Sequence, residues 1–196
     1  MNKTFISIFL FLLIFSVTFE LTAFDNNLQK RLVEKHSKRE NKLDEHQKVL
    51  EFFKTNNLEL NITKEESSHM RDVKKLNDNF ILFILILTII TGLLIYFNKS
   101  IEILTKLWIP LAIATILSIT SIIFPAQIFS LFHLIFFPQG NFLFSFDSFL
   151  ITLYPANYFY ELFYNVLLRT TIATLLLIIL GYLLKKRFIK LKKHDK

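Results

Sequence analysis

Two histidines, His69 and His133, are the side chains in this chain best suited to chemistry, because each stands where polar sequence meets a long apolar run. His69 sits in Glu65-Glu66-Ser67-Ser68-His69-Met70-Arg71-Asp72, shortly before the apolar stretch 80–97. His133 sits in Ser130-Leu131-Phe132-His133-Leu134-Ile135-Phe136-Phe137, within the most aromatic part of the sequence. A neutral imidazole takes a proton from an amine or water, and a second one protonates a leaving oxygen or steadies an oxyanion. Such a pair suits a reaction whose substrate brings its own nucleophile. Asp72, three residues beyond His69, either orients that ring or is an ordinary solvated carboxylate. His36, His46 and His194 have polar neighbours and read as surface residues.

Other chemistries find less support. The chain has no cysteine, which excludes a disulfide framework, a thiolate metal site and a cysteine nucleophile. Zinc would need a third ligand beside the two histidines, Asp72 or Asp147, and no His-Glu-x-x-His is present. No metal or other cofactor is therefore expected. A serine hydrolase would show Gly-x-Ser-x-Gly, which is absent.

The elements that must hold the two rings are membrane spans. The chain of 196 residues is 53% hydrophobic, too apolar for an ordinary soluble domain, and reads as a single polytopic membrane domain. Its net charge of +7 does not point to nucleic acid. Seven of the 23 basic residues fall in the last twelve positions, after an apolar helix, as expected of a cytoplasmic flank. The expected spans are 5–23, 80–97, 107–124 and 158–184, each long enough to cross about 27–30 Å of hydrocarbon. Leu21 spoils a cleavage site at Ala23, so the first span is expected to be a retained anchor.

Between the first two spans, residues 25–78 form a charge-balanced extracytoplasmic cap with twelve basic and eleven acidic residues. Leu28, Leu32, Leu43, Leu50 and Phe53 trace a weak amphipathic pattern in it. Thr63-Lys64-Glu65-Glu66 has the capping-box spacing, and a helix starting there puts His69, Asp72, Val73 and Leu76 on one face. Residues 126–157 contain no lysine or arginine, as a short outer loop should, yet are strongly apolar, which suits an interfacial aromatic loop (125–157). Phe142, Phe144 and Phe146 alternate with Leu143, Ser145 and Asp147, so the cap region is expected to include a short strand. In the last span Glu161, Asn165 and Arg169 fall four apart on one stripe. Arg169 either snorkels to the headgroups or faces inward to support a site. Four spans put both termini in the cytoplasm, and the cap, the loop and both histidines outside.

Two blocks of sequence resemble a known family. Val49-Leu50-Glu51-Phe52-Phe53-Lys54 followed by Glu66-x-x-His69-Met70-x-Asp72-Val73-Lys74-x-Leu76 resembles the cap of the bacterial lipoprotein intramolecular transacylases (Lit). Phe132-His133-x-Ile135-Phe136-Phe137, then Asn141, Phe144, Asp147, Leu150-Ile151, Leu153 and Pro155, is similar to that family's second signature, with Phe142 where a tryptophan is expected. The resemblance implies a mainly α membrane enzyme of four transmembrane helices in the bacterial cytoplasmic membrane. It implies transfer of the sn-2 acyl chain of a diacylglyceryl-modified cysteine to that cysteine's α-amine, giving a lyso-form lipoprotein. The family's catalytic histidines map onto His69 and His133; Asp72, Asn141 and Asp147, and Arg169 from its place in the last span, are expected as supporting or substrate-binding positions. The partners implied are diacylglyceryl-modified lipoproteins and membrane lipid. From the residues alone, a non-enzymatic membrane protein whose charged cap docks a partner is the alternative.

Overall fold

The computed structural model describes residues 2–194, with side chains through Arg187; the end of the basic tail and the His194 ring lie outside the described residues. The described residues are 81% helical. Its helices are α1 (Lys3–Ala23), α2 (Asn26–His36), α3 (Lys42–Thr55), α4 (Lys64–Asn98), α5 (Glu102–Thr105), α6 (Trp108–Ile123), α7 (Pro125–Phe136), α8 (Phe149–Leu153) and α9 (Ala156–His194). Four stretches are long and apolar enough to cross a membrane: Lys3–Ala23, Lys64–Asn98, Glu102–Ile123 and Ala156–Arg187. All of the charged side chains of α4 lie in its turns before residue 80, and the run 80–97 is uncharged.

The helices divide into two compact units. The first comprises Met1–Leu21, Leu82–Thr120 and Val166–Lys196. Phe11, Leu107 and Ile178 are buried there against Leu10, Ile14, Leu104, Leu111, Ala114 and Leu177. Apolar side chains such as Ile89, Leu117 and Leu176 face outward, as lipid-facing positions do. Polar contacts are few but specific. The Thr18 and Thr170 hydroxyls meet at 2.6 Å, and Glu102 receives both Lys3 and Lys185. Gly181 lets α9 approach α5 closely, because a Cβ at that position would lie 2.7 Å from the Leu104 Cβ.

The second unit comprises Thr22–Ile81 and Ser121–Asn165. Its core gathers Leu28, Leu32 and Val33 of α2, Val49 and Phe52 of α3, Met70 of α4, Phe149, Leu150 and Leu153 of α8, and Tyr158 of α9. The amphipathic pattern of the sequence is thus used, except that Leu43 points to solvent. Asp25 caps α2 by accepting from the Asn27 and Leu28 amides. α3 stops at Asn56, whose φ of 64° is left-handed. Glu161 at the start of α9 receives Lys35 (2.6 Å) and His36 (2.7 Å) from the end of α2.

Two expectations need correction. No strand forms among the described residues; the 138–148 segment is a series of turns and α8 follows it, while α7 occupies 125–136. The period-two spacing of Phe142, Phe144 and Phe146 is not kept in the structure, where Phe146 is 94% exposed, and no partner strand lies beside the segment to accept the backbone pairing that a strand requires.

His46 is also not a surface residue: it is 1% exposed. It shares the buried side of α3 with Val49 and Leu50, and its Nδ1 lies 2.8 Å from the Tyr154 hydroxyl. Burial, aided by the charge of Lys30, pushes its pKa down to about 4. Because the unfolded ring titrates near 6.5, stability is fully present above that value, falls as pH drops toward 4, and levels off below. The loss is on the order of 3 kcal/mol. His46→Gln should therefore lose less stability than the parent between pH 7 and pH 4.5, measured by thermal unfolding in detergent. Equal losses in the two proteins would contradict this.

Candidate functional site

The site begins with the capping box at the head of α4. The Thr63 amide donates to Glu66 Oε2 at 3.0 Å, and the Glu66 amide donates to Thr63 Oγ1 at 3.2 Å. Glu66 does more than cap its own helix. It is 1% exposed, and its Oε1 accepts the Leu150 amide at 2.9 Å. One carboxylate therefore fixes both the start of α4 and the first turn of α8. Arg39 holds α8 from the other side, donating to Thr152 Oγ1 at 3.3 Å and standing 4.2 Å over the Phe149 ring while paired to Glu45.

One turn past Glu66, His69 projects into an aromatic cluster. Its ring lies 4.7 Å from Phe137, 5.5 Å from Phe144 and 6.1 Å from His133, the two imidazoles stacked with an interplanar angle of 23°. His133 is ringed in turn by Phe129 at 4.3 Å, Phe142 at 5.1 Å, Phe132 at 5.5 Å and Phe137 at 5.7 Å. Sixty-four positions apart in sequence, the two histidines thus share one wall of phenylalanines.

Their proton states follow from their partners. His133 Nδ1 lies 2.8 Å from the Phe129 carbonyl oxygen, which only accepts. That nitrogen therefore carries the hydrogen, and Nε2 bears the lone pair of the neutral ring. His69 is buried, and its Nδ1 has no hydrogen-bond partner. Burial pushes the His69 pKa below its ordinary value and the neighbouring His133 lowers it further, opposed in part by hydrogen bonding to Asn141 and by the Asp72 carboxylate.

Asp72 and Asn141 join this arrangement directly. Asn141 Nδ2 donates to Asp72 Oδ2 at 2.6 Å, and Gln139 Nε2 donates to the same oxygen at 3.0 Å. With its amide nitrogen committed to Asp72, Asn141 turns its carbonyl oxygen toward other donors, Gln139 at 3.3 Å among them. The turn that delivers Asn141 needs Gly140, whose φ is +76°.

Among the sequence-predicted positions, His69, His133, Asp72 and Asn141 converge. Asp147 is exposed, and hydrogen bonding to Ser145 holds its carboxyl below the usual carboxylate range. Arg169 belongs to the first unit. Gln139 and the Phe129 carbonyl have no signal in the sequence, since glutamine in a turn and a backbone oxygen carry no motif. No cluster of three or more His, Cys, Asp or Glu suited to a metal ion occurs among the described residues. A shallow depression of about 480 Å³ on α7, lined by Ala126, Gln127, Ser130, Leu131 and Leu134, includes neither histidine.

A stacked imidazole pair in an aromatic enclosure is suited to moving protons for a substrate that reacts with itself. The family model described as lipoprotein intramolecular transacylase Lit matches residues 3–159. No curated protein matches the chain significantly. Among solved structures, the membrane integral lipoprotein intramolecular transacylase Lit from Bacillus cereus is similar over 98% of this chain and 96% of that one, with a TM-score of 0.72 and 16% identity. A histidine-to-alanine variant of the same Bacillus cereus protein gives a TM-score of 0.69 at 16% identity, over 95% of this chain and 92% of that one.

Proposed function

Because this chain belongs to the lipoprotein intramolecular transacylase family, we propose that it is the acyltransferase that converts diacylglyceryl-modified lipoproteins to the lyso-form. In the proposed reaction the α-amine of the modified cysteine attacks the sn-2 ester carbonyl of its own diacylglyceryl group. The new C–N bond forms as the ester C–O bond breaks. The proton leaving the nitrogen ends on the freed glyceryl oxygen, so an ester and an amine become an amide and a hydroxyl. No outside reactant is required.

The observation that carries this reading is the 6.1 Å stacking of His69 on His133 among phenylalanines. Two cations would repel at that distance, so the pair favours holding a single shared proton. It accepts the amine proton and delivers it to the departing oxygen. Asp72 orients Asn141, and Asn141 orients His69. The phenylalanine wall keeps water from the ester and confines two distant substrate groups, a gain of up to roughly 7–11 kcal/mol when the fit is ideal. The reading places the site at the outer face of the bacterial cytoplasmic membrane, with both termini in the cytoplasm.

Expression in a bacterium whose lipoproteins keep a free α-amine, followed by mass spectrometry of a lipoprotein N-terminal peptide, tests it. The expected product is N-acylated and carries a single acyl chain on glycerol. Two chains still on glycerol, with the amine free and the protein present in the membrane, would refute the proposal.

A further inference from the structure

The turns between α7 and α8 sort their side chains into two sets. Phe142 and Phe144 face inward, the first against His133 at 5.1 Å and the second against His69 at 5.5 Å. Leu143 and Phe146 face outward and are 80% and 94% exposed. These are extreme values for large apolar side chains on a turn that Asn141 fastens to Asp72. Scattered apolar residues on a surface need no explanation, but these two have apolar company. α7, in the same unit, exposes Leu131, Leu134 and Ile135 by 51–62% and carries no Asp, Glu, Lys or Arg. Its polar side chains, Gln127, Ser130 and His133, fall three apart along one face, and the rest of the helix is apolar. α7 also starts two residues after the last residue of α6, a candidate span, so the chain enters it at the membrane boundary.

We infer that the 142–146 turn is a membrane foot, in which Leu143 and Phe146 insert into the outer leaflet beside α7. The occupant of this surface is lipid. Residues 126–157 hold no lysine or arginine, and Asp147 is the sole charged side chain among them, at the polar end of the turn. Such a surface lacks the basic residues that would seek anionic headgroups from the aqueous side, and it offers apolar tips instead. Leu143 and Phe146 anchor in lipid while Phe142 and Phe144 pack on the imidazoles, so the foot fixes the site at the depth of the acyl-ester region. The inference rests on exposure and connectivity and stands or falls separately from the transacylase reading.

The absence of cysteine allows a direct test on the chain. Leu143→Cys, Phe146→Cys and, as a water-facing reference, Glu40→Cys are each nitroxide-labelled and reconstituted in phosphatidylcholine vesicles. Collision rates with oxygen, which partitions into lipid, and with a water-soluble nickel chelate are then measured. The oxygen-to-nickel ratio should be severalfold higher at 143 and 146 than at 40. A ratio at either position equal to that of the reference overturns the inference. So does a label inaccessible to both reagents, which would mean that the turn packs against protein.

Discussion

His69→Gln and His133→Gln are each expected to reduce acyl transfer by about 10²–10⁴-fold, with membrane protein levels unchanged. Glutamine retains a hydrogen-bonding amide of similar reach but neither accepts nor releases a proton near neutral pH. It can still donate to the Phe129 carbonyl from position 133, so a folding defect is not the expected cause of the loss. The two rings act as one proton-holding unit, so the double variant should be scarcely worse than either single one. Independent roles would instead multiply the losses. The pH profile gives a further check. The reaction needs the pair able to accept a proton, and His69 is held below its ordinary value by burial and by His133. Activity should therefore persist at neutral pH and fall only as pH drops below about 6.5. Full activity in either single variant, measured as N-acylated lipoprotein, would remove the histidines from the chemistry.

Glu66→Ala is expected to have the largest effect on stability, about 3 kcal/mol. The substitution deprives two backbone donors of one acceptor at once, the Thr63 amide at the head of α4 and the buried Leu150 amide in α8. For a chain of this size the midpoint of thermal unfolding should fall by about 10 °C. Thr63→Ala removes only the reciprocal bond to the Glu66 amide and should cost about 1 kcal/mol. Melting in detergent distinguishes them, and equal midpoints for Glu66→Ala and the parent would contradict the double role of this carboxylate. Because His69 is one turn further along α4, Glu66→Ala should also lower transacylation at temperatures where the protein remains folded.

What could be read from sequence divides along physical lines. The Thr63–Glu66 capping box was legible because its chemistry is local, four residues satisfying their own amides. The second oxygen of Glu66 was not, since its partner, the Leu150 amide, lies 84 residues away and backbone donors have no sequence signature. The four apolar spans follow from length and composition. The helix α7 was read as loop because only three polar side chains, Gln127, Ser130 and His133, mark its period, although Pro125 stands at its start as helix-opening prolines do. The alternation at 142–146 predicted a strand; in the turns that form instead, Phe142 and Phe144 pack on the rings while Phe146 breaks the pattern and faces outward with Leu143. His46 was misplaced by treating imidazole as polar, when its spacing from Val49 and Leu50 marked the buried side of α3. The pairing of His69 and His133 was expected from their common place at the edge of apolar sequence together with the family signature, and not from spacing, because only the tertiary fold brings α4 and α7 together.

The bond from His133 to Phe129 has a spectroscopic consequence. Imidazole in water favours the tautomer protonated at Nε2, whereas the carbonyl one helical turn back demands the other one. Nitrogen chemical shifts of labelled His133 should accordingly report the rarer form. Local unwinding of α7 would release that carbonyl and let the ring exchange tautomers, so fraying of a single turn would randomise which nitrogen is basic.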